Sequence, residues 1–252
     1  MKIIAISNQK GGVAKTTTCL NLAAYISKKK KVLLIDCDKQ ANLTKNLGME
    51  GAKTSINDLF LKRKFDVVNV RKNLDLIPSS VDFVGIDLLI QGELARESIL
   101  KKALDRLESN YDFVFIDCPP DMNLVTVNAL TASNYVIIPV QATQFSMDGV
   151  NIMIDFIGGI RESINPKLNL LGILVTHFDK RLKISKSIEQ DFKDNNWEMA
   201  LFKTRIRRNT AIENSQHKDY RMTIFEYDNQ SKGALDYSNL AKEILKLIKN
   251  LN

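Results

Sequence analysis

Short, continuous apolar runs alternate along this chain with longer stretches in which apolar residues recur every three or four positions. The short runs are rich in Ile, Val, Leu and Phe and read as strands buried on both faces; the longer stretches read as amphipathic helices. The pattern predicts strands at 3–7, 32–36, 74–77, 113–117, 135–140 and 170–176, with a weaker one at 199–202. Helices are predicted at 15–29, 98–109, 123–132, 146–164 and 183–195, and a last amphipathic helix at about 235–251. Such alternation, without a long linker, repeat or low-complexity segment, implies βαβ units. The expected fold is one α/β domain over 1–252, a doubly wound, mostly parallel twisted sheet flanked by helices. In that architecture ligands sit at the carboxyl ends of the strands.

Composition narrows the picture. The 252 residues are 44% apolar, enough for a real core. No apolar run is long enough for a membrane-spanning helix. The chain enters its first strand without the zones of a signal peptide, which points to the cytoplasm. Cys19, Cys37 and Cys118 are far apart and form no Cys-x-x-Cys, so they read as packed apolar residues rather than as metal or redox ligands. A net charge of +7 suits an anionic partner. The run from Lys28 to Lys31 is expected to close the first helix, where cations favour the helix dipole.

The strongest chemical signal is residues 10 to 18, Lys-Gly-Gly-Val-Ala-Lys-Thr-Thr-Thr, directly after the first strand. A glycine-bearing turn that opens a helix at Lys15 can cradle phosphate, because its N–H groups and the helix N-terminus carry positive potential. Ala14 stands where such loops normally have glycine. If its φ is positive, the strain is about 1 kcal/mol. The second strand ends in Asp36-Cys37-Asp38-Lys39-Gln40, whose two carboxylates are expected on one face, aimed at the phosphate site. The strand at 113–117 ends in Asp117, followed by Cys118-Pro119-Pro120-Asp121.

Together these segments resemble the ParA/MinD-type ATPases, whose deviant phosphate loop reads Lys-Gly-Gly-Val-Gly-Lys-Thr-Thr. The resemblance implies ATP and Mg²⁺ as ligands. Lys10, Gly11, Gly12, Val13, Ala14, Lys15, Thr16 and Thr17 would contact nucleotide, and Thr16, Asp36 and Asp117 would hold or support the metal. Asp38 would position or activate the attacking water, and Lys15 would hold the β- and γ-phosphates. Lys10, the family's signature lysine, would reach across an ATP-bound homodimer into the partner's nucleotide. The segment from Thr204 to Asn209 resembles a family stretch that usually has proline at 207; Arg207 and Asn209 are carried over as nucleotide contacts. The family segments at 76–79, 139–141, 145–149 and 175–179 also recur, with Thr143 where glutamate is usual. No Asn-Lys-x-Asp is present, so ATP is expected over GTP. His177 and His217 lack a nucleophile pattern and read as structural and surface residues.

Lys203, Arg205, Arg207 and Arg208 carry four positive charges within 200–210 with no acid among them. Lys183, Lys186, Lys218, Arg221 and Lys232 lie nearby in sequence. Without aromatic interleaving or a helix-turn-helix, this predicts non-specific DNA contact through Lys203, Arg205, Arg208 and Lys232. The leading expectation is therefore a partition ATPase that is cytoplasmic and nucleoid-associated. It would dimerise on ATP, coat DNA and be stimulated by a ParB-like centromere-binding protein. No operator-binding domain is expected ahead of the first strand. The alternative is a MinD-like membrane-positioning ATPase anchored by the apolar stripe Leu240, Ile244, Leu247, Ile248 and Leu251. A metal-cluster carrier of the same fold is remote without a cysteine pair.

Overall fold

The computed structural model describes residues 1–107, 110–142 and 147–251. Of the sequence readings, Ser109, Thr143, Phe145, Ser146 and the side chain of Lys186 lie outside the described residues.

Seven strands form one sheet: β1 (Lys2–Ile6), β2 (Val32–Asp36), β3 (Val68–Arg71), β4 (Leu74–Ile77), β5 (Phe113–Asp117), β6 (Tyr135–Gln141) and β7 (Asn169–Thr176). Their order is β3-β4-β2-β5-β1-β6-β7, all parallel except β3 against β4. The amino-terminal half contributes helices α1 (Lys15–Ile26), α2 (Asn42–Asn46), α3 (Ile56–Phe60), α4 (Ile86–Leu89), α5 (Ile99–Asp105) and α6 (Leu124–Ala132). The other half adds α7 (Met147–Ser163), α8 (Lys183–Asp194), α9 (Thr210–Ser215), α10 (Ile224–Tyr227) and α11 (Lys232–Asn250).

The central strands are apolar at nearly every position because each face of the sheet has its own core. Ile3, Ala5, Leu33, Ile35, Val114 and Ile116 point into one. Their neighbours Ile4, Ile6, Val32, Leu34, Phe113 and Phe115 point into the other, beneath α1 and α11. The period of two thus distributes a continuous run between two layers of helices. The doubly wound fold expected from the pattern is the one observed.

Several local expectations are corrected. The segment 199–202 is not a strand: Glu198–Ala200 is a single 3-10 turn, and only Leu201 bridges to Ile173 of β7. Strand β3 was not anticipated, because it is a short edge strand with Val70 its one buried residue. The Lys28–Lys31 run does not lie in α1, which ends at Ile26 with Ser27 as its cap. Lys28 instead packs its ammonium 4.4 Å from the Phe225 ring, and Lys30 pairs with Asp112 at 3.4 Å.

Helix α11 buries Leu240, Ala241, Ile244 and Ile248 against the sheet and α1, which covers most of the stripe offered as a membrane anchor. Leu247 and Leu251 remain outside at 36% and 63% exposure, too little for an anchoring face. Among the described residues no helix is long and apolar enough to cross a membrane.

Gly172 sits where β6 and β7 shift register, and a Cβ there would meet Phe202 Cε2 at 2.8 Å and the Ala200 carbonyl oxygen at 3.1 Å. Gly172→Ala is expected to cost about 1–3 kcal/mol by overpacking. Equilibrium denaturation checks this; wild-type stability would mean that the Phe202 side and its backbone give way freely.

Candidate functional site

The turn after β1 delivers the phosphate loop. Gly12 has φ +73° and Ala14 has φ 67° and ψ 35°, so the strained alanine suspected from the sequence is real. The loop is held from below. Asn8 donates to the Pro139 carbonyl at 2.7 Å and accepts from Lys10 N–H, while the Thr176 hydroxyl reaches the Val13 carbonyl at 3.2 Å. The Val13 side chain is buried, so only its backbone remains for the nucleotide role expected of it. Lys15 is 7% exposed, and its ammonium donates to the Lys10 carbonyl at 2.9 Å, folding back over the loop. Burial lowers the Lys15 pKa against the pull of Asp117 and Asp38.

Two carboxylates lie side by side beneath it, because Asp36 and Asp117 are register partners at the ends of β2 and β5. Asp36 accepts from the Asp38 N–H at 3.1 Å through one oxygen, and from the Thr44 N–H and hydroxyl at 2.8 and 2.7 Å through the other. Burial still pushes its pKa up to about 6. Asp117 differs: neither oxygen has a partner of hydrogen-bond geometry, although the Thr16 hydroxyl lies near enough to lower its pKa. Burial, then the Asp36 charge, push it well above the ordinary carboxylate range.

The pair at 36 and 38 does not work as the spacing suggested. Asp38 lines the cavity, but Asp36 is fully buried behind it and occupied by Thr44 and Asp38. Asp36 thus anchors the loop that carries Asp38. Asp38 is further fixed by its carbonyl, which accepts from the Ser79 hydroxyl at 2.7 Å.

A cavity of about 530 Å³ opens above these groups. Gly11, Gly12, Ala14, Lys15, Thr16 and Thr17 form one wall, with Asp38 and Gln40 beside them. The carboxyl-terminal half contributes the rest of the lining, including Arg207, Arg208, Asn209, Gln216 and Tyr237. Lys10 is exposed and outside the wall. Arg207 is on the wall, but its guanidinium is committed to Asp236, with Nη2 2.6 Å from Oδ1. Asn209 caps α9 by accepting from the Ala211 N–H, which leaves its side-chain amide for a ligand. His177 also lines the cavity, in a left-handed conformation with φ 52°. Burial lowers its pKa. His217 is at the surface, as expected, near Asp219.

The cations at 203–208 do not share one face. The segment adds to the edge of β7, with Phe202 N–H to Ile173 and Ile206 N–H to Val175. Arg205 is half-buried, Arg207 is paired with Asp236, and Arg208 stands at the cavity; Lys203 and Lys232 are exposed. Asn42, Asn46, Glu213, Gln216 and Tyr237 were missed as cavity residues. No motif marks them: α2 and α9 are too short to show a period, and in α11 Tyr237 reads only as one of the apolar stripe.

Thr16 and the orphaned Asp117 carboxylate suit Mg²⁺, which takes few protein ligands and keeps several waters. The AAA-domain family model matches residues 1–170 of the chain. The sporulation initiation inhibitor protein Soj of Bacillus subtilis is 38% identical over 96% of this chain and 98% of its own length. The chain belongs to the ParA/Soj family of partition ATPases. The chromosome partitioning protein ParA of Myxococcus xanthus is 33% identical over 97% of the chain and 88% of its own length. Among solved structures, a cobyrinic acid a,c-diamide synthase from Mycobacterium smegmatis, with bound ATP analogue and magnesium, superposes with a TM-score of 0.87. It is 31% identical, over 100% of this chain and 97% of that one. A putative plasmid partition protein from Borrelia burgdorferi bound to AMPPNP gives a TM-score of 0.80 at 26% identity, over 100% and 99%.

Two outcomes follow from the loop and the carboxylates. Ala14→Gly is expected to stabilise the protein by about 1 kcal/mol, since left-handed alanine costs more than glycine's extra chain entropy; denaturant midpoints at constant slope measure it. Asp36 binds its proton more tightly folded than unfolded, so its contribution to stability falls as pH rises from about 4 to 6. Without magnesium, wild type should therefore lose stability relative to Asp36→Asn over that window; parallel pH profiles would remove the charge penalty from the account.

Proposed function

We propose that the chain is a Mg²⁺-dependent partition ATPase that binds ATP in this cavity, dimerises on ATP, binds DNA without sequence preference and responds to a ParB-like partner. The observation that carries the ATPase reading is the buried, unpartnered Asp117 carboxylate beside Lys15 and Thr16 beneath a strained phosphate loop. An isolated buried carboxylate is costly unless a cation joins it. Magnesium bound by Thr16 and Asp117 would neutralise phosphate charge. Lys15 would leave the Lys10 carbonyl for the β- and γ-phosphates, and the backbone N–H groups from Gly11 to Thr17 would hold the rest. Asp38, held at the cavity wall by Ser79 and Asp36, is the carboxylate placed to orient the attacking water. Lys10, exposed beyond the wall, is assigned to the partner subunit's nucleotide, which ties turnover to dimerisation.

The Soj and ParA relatives support the partition role, and the covered apolar face of α11 speaks against the membrane alternative. DNA contact is assigned to the exposed Lys203 and Lys232, with Arg208 at the cavity edge and Arg205 behind them. A cytoplasmic, nucleoid-associated location follows from that contact.

ATP turnover measured alone, with random-sequence DNA and with a candidate ParB-like protein tests the reading. Lys15→Ala should lower turnover about 100-fold or more. Asp38→Ala should accumulate an ATP-bound dimer by light scattering, and Lys10→Ala should lose partner stimulation. No ATP-dependent change in mass, or turnover indifferent to Lys15, would reject it. Lys203→Ala with Lys232→Ala should weaken DNA binding and lower its log–log salt slope by about two. An unchanged slope would remove these lysines from the contact.

A further inference from the structure

Gln216 follows α9 and lines the cavity beside Thr17. Its carbonyl oxygen accepts from the Thr17 hydroxyl at 3.1 Å and from the Asn46 side-chain amide at 3.5 Å. Its amide nitrogen is buried and has no hydrogen-bond partner. A carboxamide carries two donors and an acceptor, and a buried donor left unpaired loses its water without replacement. One end of this group is thus held in place and the other is unsatisfied.

The arrangement has a direction. With phosphates assigned to Gly11 to Thr17, the nucleoside would fall against the other residues that line the cavity, among them Gln216 beside Thr17, Tyr237 and Ile212. Because the Gln216 oxygen is engaged by Thr17 and Asn46, the group can offer that nucleoside only a donor. We infer that Gln216 selects the base: its amide N–H donates to N1 of an adenine ring. At that position adenine presents a lone pair and guanine an N–H, so guanine would meet donor with donor. A site built around one buried hydrogen bond rejects the analogue that cannot make it. The same side chain also couples base recognition to α1, since Thr17 follows the lysine and threonine that serve phosphate and metal.

The inference rests on the cavity being the nucleotide site, and the test separates the two. Equilibrium binding of ATP, GTP and 1-deaza-ATP, which lacks the N1 acceptor, is measured for wild type and for Gln216→Met, an apolar residue of similar length. Wild type should bind ATP about tenfold more tightly than 1-deaza-ATP, the worth of one buried hydrogen bond. Gln216→Met should lose about that factor for ATP, gain or lose nothing for GTP, and no longer distinguish ATP from 1-deaza-ATP. Equal loss of ATP and GTP would make Gln216 a merely structural residue and overturn the inference, as would wild type that binds 1-deaza-ATP as well as ATP. The wild-type comparison stands even if the variant does not fold. Wild type that binds no nucleotide at all would sink the ATPase reading itself.

Discussion

Two carboxylates, Asp36 and Asp117, are buried side by side at the carboxyl ends of adjacent parallel strands, and only Asp36 is satisfied by hydrogen bonds. The parallel register forces this proximity, and the low-dielectric surroundings make it expensive. The neighbouring structure responds to that cost. Thr44 is placed to donate twice to Asp36, α2 begins where it does to allow this, and the Thr44 hydroxyl in turn accepts from the Ser79 N–H at 2.8 Å. Lys15 lies close enough to lower the Asp117 pKa. What remains uncompensated is one carboxylate, which is the feature a divalent cation would complete.

The carboxyl-terminal lining of the site depends on a second electrostatic contact. Asp236, 5% exposed in α11, takes the Arg207 guanidinium through both oxygens and the Arg207 backbone N–H as well. A bidentate pair of this kind fixes orientation as well as distance. It docks the edge segment that follows β7 onto the last helix and so brings residues near 210 and 237 to the cavity. The same pairing withdraws one cation from the basic run, which leaves the exposed Lys203, Arg208 and Lys232 as outer positive groups of that region.

Two local penalties sit together at the phosphate loop. A left-handed alanine at 14 and a buried carboxylate without a hydrogen-bond partner at 117 both cost free energy. Each lies where phosphate or metal would bind, so binding has local penalties to offset.

Residues near one another in the chain determined most of the fold and half of the site. Apolar runs mark strands β1, β2, β4, β5, β6 and β7 to within a residue or two, because a strand buried on both faces needs a largely apolar sequence. The loop from Lys10 to Thr17 and the aspartates at strand ends were legible for the same local reason: a turn and its helix lie within nine residues. The edge strand β3 was not legible, since one buried residue makes no pattern. Spacing alone does not separate Asp36 from Asp38, or Arg207 from Arg208; only the resemblance gave each its own role. Which carboxylate faces the cavity depends on Thr44, and which arginine is held depends on Asp236, partners that are 8 and 29 residues away. Gln216 reaches Thr17 across 199 residues. Local spacing fixes direction along a strand or helix; only the packing of distant segments decides which side chains meet, and that meeting is what sets charge, burial and the carboxyl-terminal lining of the site.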